Sequence, residues 1–194
     1  MENSKMDVTE SIEIISRMIC NTRRNIERSS YRPFLIWGYT TIIVALAVWF
    51  CVGITQDSVW FWLWFAIPVI GCVAMYLFGR RSTVKGYVRT PIDRAISYLW
   101  IVLGLAGFIA SIFSFVRYMD ILFLIVLLMA SGTAITGFIL QFRVLIAAGL
   151  AGLILSVLFL FIEGIDQCLI FAAIFFVMTV VPGHIIQYRL RKTE

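Results

Sequence analysis

Two parts of the chain are near-copies of each other. Gly104-Leu-Ala-Gly-Phe-Ile-Ala-Ser111 returns 45 residues later as Gly149-Leu-Ala-Gly-Leu-Ile-Leu-Ser156. Gly137-Phe-Ile-Leu-Gln-Phe-Arg143 returns 46 residues later as Gly183-His-Ile-Ile-Gln-Tyr-Arg189. Each copy contains an apolar stretch, a short polar break, a second apolar stretch and a closing arginine. This pattern predicts a helical hairpin repeated in tandem, because self-similarity at a fixed spacing marks repeated structural units.

The composition indicates which solvent surrounds these hairpins. Hydrophobic residues make up 61% of the chain and charged residues 14%, compared with about 45–50% and about 25% in soluble domains. The mean hydropathy is +0.96. So few charges would not cover the apolar surface of a globular protein of this size, and we therefore expect lipid around most of the chain.

Six apolar stretches are long enough to cross a membrane, since about 20 helical residues span a hydrocarbon core of about 30 Å. The predicted spans are Phe34–Ile54, Val59–Phe78, Ala95–Val116, Ile121–Leu140, Val144–Ile162 and Cys168–Ile186. They predict an all-α polytopic membrane protein with hairpins at 34–78, 95–140 and 144–186, the first being a divergent third copy. Hairpins with an even number of spans enter from the same side, which makes this a parallel repeat about a pseudo-threefold axis.

The basic residues predict the orientation in the membrane. Fifteen of the sixteen Lys and Arg residues fall in the N-terminal arm, the 79–94 break, Arg143 and the tail, and only Arg117 falls on the other side. By the positive-inside rule both termini are cytoplasmic. We expect a multi-pass protein of a bacterial inner membrane. The net charge of +5 is then a membrane-surface feature and does not indicate nucleic acid.

Residues 1–33 form a polar arm ahead of the transmembrane domain, which we place at 34–194. Its apolar residues recur at steps of three and four, which predicts one stripe on an amphipathic helix. The stripe includes Ile12, Ile15, Ile19 and Ile26. Such a helix could lie in the headgroup region or against the cytosolic ends of the spans. The same spacing would also allow it to dock a partner helix or to self-associate.

The spans contain little that could carry chemistry. None of the six predicted spans contains Asp, Glu, Lys or Arg, and intramembrane ionisable groups are the usual mark of pumps and proton-coupled carriers. His184, the single histidine, has no carboxylate nearby in the chain, so a hydrogen-bonded or headgroup-facing role is favoured over a proton shuttle. We expect no catalytic residue, no metal site and no cofactor.

Small residues four positions apart predict close helix packing, because they let two backbones approach each other. The predicted packing residues include Gly107 with Ser111, Gly137, and Ala148 with Gly152. Packing within the chain is favoured over packing between copies, although a homo-oligomer stays open. Hydroxyl side chains in the spans could line a polar path, or they could bond back to their own helix.

Three motifs resemble those of a known group of proteins. Phe34-Leu-Ile-Trp-Gly-Tyr39, Tyr98-Leu-Trp100 and Pro182-Gly183 look like segments of a group of six-span bacterial inner-membrane proteins with a short amphipathic N-terminal arm. The similarity runs over nearly the whole chain. The group has no assigned activity, so the resemblance supplies no site residue. Its genes resemble companions of winged-helix transcription regulators, which implies a regulatory or envelope-stress role.

These observations favour a non-enzymatic regulatory or scaffold protein that presents a basic cytosolic face to a protein partner, in the cytosol or in the membrane. The residues expected to contact a partner or lipid headgroups are Arg17, Arg24, Arg80, Arg81, Lys85, Arg89, Arg143 and Arg189. A small channel or facilitator for a neutral or amphipathic solute is the alternative. A lipid-modifying enzyme is the third and least favoured hypothesis.

Overall fold

The structure is a computed structural model that describes residues 13, 31–81, 91–116 and 121–192. Within these residues all regular secondary structure is helical, and six helices are long and apolar enough to cross a membrane. The prediction of an all-α protein with six candidate spans is therefore confirmed. The predicted amphipathic arm, apart from residues 13 and 31–33, lies outside the described residues.

The six helices, numbered in chain order, extend beyond most of the predicted spans. They are α1 (Tyr31–Thr55), α2 (a 3₁₀ segment, Ser58–Phe65, followed by Ala66–Arg81), α3 (Pro91–Val116), α4 (Ile121–Leu140), α5 (Arg143–Leu155 followed by a 3₁₀ segment, Ser156–Leu160) and α6. Helix α6 consists of a short 3₁₀ turn, Gly164–Asp166, an α-helical part, Gln167–Phe175, a π-helical turn, Phe176–Val180, and a second α-helical part, Val181–Lys192.

Short turns reverse the chain between α1 and α2 and between α4 and α5. Between α1 and α2, the Asp57 carboxylate accepts a hydrogen bond of 3.0 Å from the backbone N–H of Val59, which caps the start of α2. Between α4 and α5, Gln141 adopts a φ of +54° and the N–H of Phe142 donates to the carbonyl of Gly137 at 2.9 Å. Pro68 lies in the first turn of the α-helical part of α2, where a missing N–H is tolerated.

Helices α4 and α5 make the closest backbone contact among the glycine sites. A Cβ atom built on Gly149 would lie 2.6 Å from the Cα of Ala134, and one built on Gly137 would lie 2.6 Å from the backbone nitrogen of Ile146. Lipid offers no hydrophobic force for pressing helices together, so contacts of this kind supply packing energy through van der Waals interactions. The contact joins two helices that the sequence repeat assigns to different hairpins.

The same packing logic joins α1 to α6. Gly38 of α1 faces Thr179 and Val180 of α6, and Gly183 of α6 faces Leu35 of α1. At the opposite end of the pair, the indole N–H of Trp49 donates to Asp166 at 3.2 Å. These contacts make α1 antiparallel to α6 and bring the first and last helices of the chain together.

A core cluster fills the space between α1, α4, α5 and α6. Its members are buried and apolar: Ala45, Val126, Ala130, Phe159, Phe171, Ala172, Ile174, Phe175 and Met178. Trp64 of α2 packs edge-to-face on Phe171, with ring centroids 5.2 Å apart. Apart from that tryptophan, α2 and α3 contribute little to this core.

Burial is distributed unequally among the helices. In the most apolar stretch of α6, 56% of residues are buried, compared with 39% in α4 and 6% in both α2 and α3. Helices α1, α4, α5 and α6 therefore form the packed unit, and α2 and α3 lie at its periphery. Strict threefold symmetry would give α3 the same environment as α5. The buried fraction of the most apolar stretch is 33% in α5 and 6% in α3, so the symmetry is not strict.

The structure places the predicted packing residues in different environments. Gly152 faces the Met178 sulfur, 2.8 Å from the position of a built Cβ, and Ala148 is buried in α5. A Cβ on Gly107 would lie 3.2 Å from a methyl group of Ile125, and the Ser111 hydroxyl donates to the Gly107 carbonyl at 2.8 Å. Contacts within the chain therefore surround these residues.

A matched pair of substitutions tests the glycine packing. In Gly149→Ala the new methyl group meets the backbone of α4, so we expect the free energy of unfolding to fall by about 1–3 kcal/mol. In Gly104→Ala, at the corresponding position of the other sequence copy, the methyl group enters open space, so we expect little change. Denaturation of the purified proteins in detergent measures both, and equal loss of stability in the two variants would contradict the packing described.

Candidate functional site: the basic end of the helix bundle

The described basic residues lie at the end of the bundle where α1, α3 and α5 begin and α2, α4 and α6 end, which we call the basic end. The residues with exposed side chains there are Arg32, Arg94, Arg143, Arg189, Arg191 and Lys192. The opposite end carries Asp57, Glu163 and Asp166 within the described ranges. Neighbouring helices are antiparallel, so this segregation of charge follows from the alternating direction of the chain.

The structure describes four of the eight arginines and lysines that the sequence singled out for partner or headgroup contact. Arg143 is exposed in the first turn of α5, Arg189 is exposed in the last turns of α6, and Arg80 and Arg81 end α2. The other four, and the apolar stripe of the arm, lie outside the described residues: Arg17, Arg24, Lys85, Arg89, Ile12, Ile15, Ile19 and Ile26.

A buried cluster beneath the basic end holds the helix ends together. It contains Phe34, Leu140, Phe142, Leu145 and Ile186, drawn from α1, α4, α5, α6 and the α4–α5 turn. The ring of Trp100 from α3 packs edge-to-face on Phe34, with centroids 6.0 Å apart. Five helices meet at this cluster, so the exposed cations project from a packed platform.

Arg32 shows how an aromatic side chain orients a cation at this end. Its guanidinium donates to the Tyr31 hydroxyl at 3.2 Å and lies 5.8 Å from the centre of the same ring. Contacts of this kind hold an exposed arginine in place without neutralising its charge. Arg32 therefore keeps its positive charge available to an anionic surface.

His184 and Tyr39 form a hydrogen-bonded pair on the outer surface between α6 and α1. The Tyr39 hydroxyl oxygen and the His184 Nε2 are 2.8 Å apart, and the two rings meet edge-to-face with centroids 6.0 Å apart. Both side chains are exposed. The adjoining residues Gly38 and Gly183 bring the two helices close enough for this bond.

The pair could not be found from the sequence alone, although His184 was singled out there. Tyr39 lies 145 residues away in the chain, and the corresponding position in the other sequence copy is Phe138, which cannot form this bond. The partner that the structure gives His184 is a phenol and not the carboxylate that a proton shuttle would use. A phenol and an imidazole together provide a polar, hydrogen-bonding patch among apolar side chains.

Three of the six buried hydroxyl groups in the described residues bond within their own helices. Thr133, Ser156 and Thr179 donate to backbone carbonyls three or four residues earlier, at 2.8, 2.7 and 2.6 Å. Such bonds satisfy a polar group where water is absent and leave it with less capacity to solvate a permeating molecule. Thr136 differs, because its buried hydroxyl has no hydrogen-bond partner among the residues that the structure describes.

The π-helical turn of α6 is the main irregularity in the packed unit. Within it the N–H of Val181 donates to the carbonyl of Phe176, five residues earlier. Pro182 follows directly and has no N–H to donate. Thr179, inside this turn, faces Gly38 of α1, so the wide turn lies where the first and last helices meet. Turns of this kind are frequent at functional sites.

Among the residues that the structure describes, no group of three or more His, Cys, Asp or Glu side chains is placed to hold a metal ion. Comparison of the chain with protein-family models, curated proteins and solved structures finds no match. The interpretation of the basic end therefore depends on its geometry and charge.

A double-mutant cycle measures the coupling between Tyr39 and His184. Tyr39→Phe removes the hydroxyl and His184→Phe places at this position the residue found in the other copy, so each should cost about 0.5–1.5 kcal/mol of stability. The double variant should lose less than the sum of the two single losses, because both remove the same hydrogen bond. Denaturation of the four proteins in detergent gives these values, and strictly additive losses would contradict the pair.

Proposed function

We propose that this protein is a non-enzymatic regulatory or scaffold protein of a bacterial inner membrane, with both termini in the cytoplasm. In this proposal the basic end faces the cytosol and binds a protein partner with an acidic surface. The observation that carries it is the collection of the described cations at one end, on a packed aromatic and aliphatic platform. Cations on the cytosolic side are the arrangement that membrane insertion favours.

Electrostatics explains why such a surface would suit a partner protein. Exposed charges on both sides speed association and select against partners of like charge, while contributing less to affinity itself. Their influence reaches about 8 Å at physiological ionic strength. Arg143, Arg189 and Arg191 are exposed on α5 and α6, so a partner within that distance of the helix ends would sense several of them together.

The N-terminal arm and the tandem hairpins complete the proposal. We infer that residues 1–33 form an amphipathic helix whose apolar stripe lies on the membrane surface or docks on a partner helix. We also infer that the transmembrane domain descends from three hairpins related by rotation about the membrane normal. The contacts of Gly38 with α6 and of Gly149 with α4 support that relationship, because they join neighbouring hairpins in a similar way.

A channel or facilitator for a neutral solute is the second candidate, and one observation favours it. Within the described part of the chain the Thr136 hydroxyl is buried without a partner, and an unpaired buried hydroxyl is costly unless something else bonds to it. The hydroxyl groups of Thr133, Ser156 and Thr179 argue against a polar path for a solute, and so favour the first candidate, since they bond to their own helices.

Affinity purification from cross-linked membranes tests the partner proposal. The first variant carries Arg143→Gln, Arg191→Gln and Lys192→Gln at the basic end. We expect it to recover its specific partners about tenfold less than the parent protein, and we expect recovery from the parent to fall as salt is raised. A further variant without residues 1–30 tests the arm in the same way.

The matched control is Asp57→Asn with Glu163→Gln, which changes charge at the opposite end. It should retain the partners of the parent protein. Identical partner sets from the parent, the basic-end variant and the arm deletion would contradict the proposed function. Protease mapping of each variant checks that its orientation in the membrane is unchanged.

A further inference from the structure

The sequence repeat defines three equivalent places where one hairpin meets the next, which we call seams. They join α4 to α5, α6 to α1, and α2 to α3. Positions in α4 and α6 correspond at an offset of 46 residues, and positions in α3 and α5 at an offset of 45. Aligning the closing arginines Arg80 and Arg143 relates α2 to α4 at an offset of 63.

At two of the seams, a glycine packs on the corresponding position of the neighbouring helix. At the α4–α5 seam, Gly149 packs on the backbone of Ala134. At the α6–α1 seam, Gly38 packs on the side chains of Thr179 and Val180, and the Val180 side chain would lie 2.9 Å from a built Cβ. Val180 is the 46-residue counterpart of Ala134. A glycine on the first helix of one hairpin therefore meets the same position on the second helix of the previous hairpin.

A second contact repeats one turn away in both closed seams. Gly137 of α4 packs on the backbone at Ile146 of α5, and Gly183 of α6 packs on the side chain of Leu35 of α1. Gly183 is the 46-residue counterpart of Gly137. The two seams thus share both contacts, in the same order along the helices.

Among the described residues, the α2–α3 seam lacks these contacts at the basic end. Gly104 of α3 is the counterpart of Gly149, yet it has open space where Gly149 meets a backbone. Leu77 of α2 is the counterpart of Leu140 and Ile186, which are 8% and 2% exposed in the cluster beneath the basic end, whereas Leu77 is 56% exposed. Gly104 on α3 and Leu77 on α2 are therefore both unpacked, whereas their counterparts in the other two hairpins are packed.

Towards the opposite end the same seam is joined. Phe65 of α2 and Phe108 of α3 meet edge-to-face with ring centroids 6.2 Å apart. Phe65 is also the residue at which the 3₁₀ segment of α2 gives way to its α-helical part, and Pro68 follows three residues later. A change of helix type beside a proline is a place where a helix can bend. The α2–α3 seam is therefore joined near Phe65, where α2 can bend, and open between that point and the basic end.

We propose that α2 and α3 form a hinged lateral opening, and that the structure shows its open state. In the closed state the Ala66–Arg81 part of α2 moves against α3, Gly104 packs on the α2 backbone, and Leu77 enters the cluster that already holds Leu140 and Ile186. The occupant of the open seam is thus α2 of the same chain, since the two closed seams are each filled by a helix of the same chain. This inference does not depend on the proposed function.

The movement would change the basic end directly. Arg80 and Arg81 end the part of α2 that moves. Arg143 begins α5 and Arg189 lies near the end of α6, and both of these helices belong to the packed unit. Closing the seam therefore alters the spacing of the cations that face the surface of the membrane. It also removes the opening through which lipid reaches Gly104.

Disulfide trapping in native membranes tests the closed state. In a chain whose four native cysteines are replaced, Ala74→Cys and Ile101→Cys occupy the counterparts of Gly137 and Ile146, which touch in the closed α4–α5 seam. We expect this pair to form an intramolecular disulfide at least about tenfold faster than the control pair Val73→Cys and Val102→Cys. Each control residue is one position away and points about 100° around its helix.

Glycine substitutions then separate closure from random collision. Gly104→Leu should abolish the fast disulfide, because the side chain blocks the approach of α2. Gly53→Leu, at another glycine with open space around it, should leave the disulfide unchanged. Maleimide labelling of a separate, unoxidised sample confirms that both thiols are present and accessible in the folded chain.

Three results would overturn the proposal. The first is a disulfide rate for the 74–101 pair no greater than that of the control pair while all thiols remain reactive to maleimide. The second is a fast disulfide that Gly104→Leu does not slow. The third is a cross-linked product of twice the chain mass, which would assign the open seam to a second copy.

Discussion

The exclusion of charge from the six apolar spans within the helices is the constraint on which the rest of the structure depends. With no water to bond unpaired backbone groups, a chain in hydrocarbon has to form helices or a closed barrel. The Asp57 cap and the Gln141 turn reverse the chain in few residues. Alternating helices then carry the described arginines and lysines to one end, which also holds Asp93, and carry Asp57, Glu163 and Asp166 to the other.

Within lipid the helices are held by shape more than by hydrophobicity, because hydrocarbon is as apolar as leucine. Gly149 on Ala134 and Gly38 on Val180 allow close approach between neighbouring helices. They bring α4 to α5 and α1 to α6, and the four helices enclose the core around Phe171 and Met178. Among the described residues, α2 and α3 lack equivalent contacts with each other and remain peripheral, which is why they are the part of the fold that we expect to move.

The sequence predicts the helices well and their neighbours poorly. Hydropathy and charge locate all six spans, and α4 matches its predicted bounds, since both depend only on local composition. The bond between Tyr39 and His184, the π-helical turn before Pro182 and the exposure of Leu77 depend on which helix lies alongside. Periodicity cannot supply that information in a membrane protein, because a lipid-facing residue and a core residue are both apolar.

The most direct measurement of the central claim is the labelling of single cysteines with a membrane-impermeant maleimide in intact cells. A cysteine-free chain carries Asp57→Cys, Glu163→Cys or Lys85→Cys, one at a time. If the six uncharged spans cross the membrane with the cations beneath one leaflet, residues 57 and 163 react from outside, and residue 85 reacts only after permeabilisation. Reaction of residue 85 in intact cells, with residues 57 and 163 protected, would contradict the account.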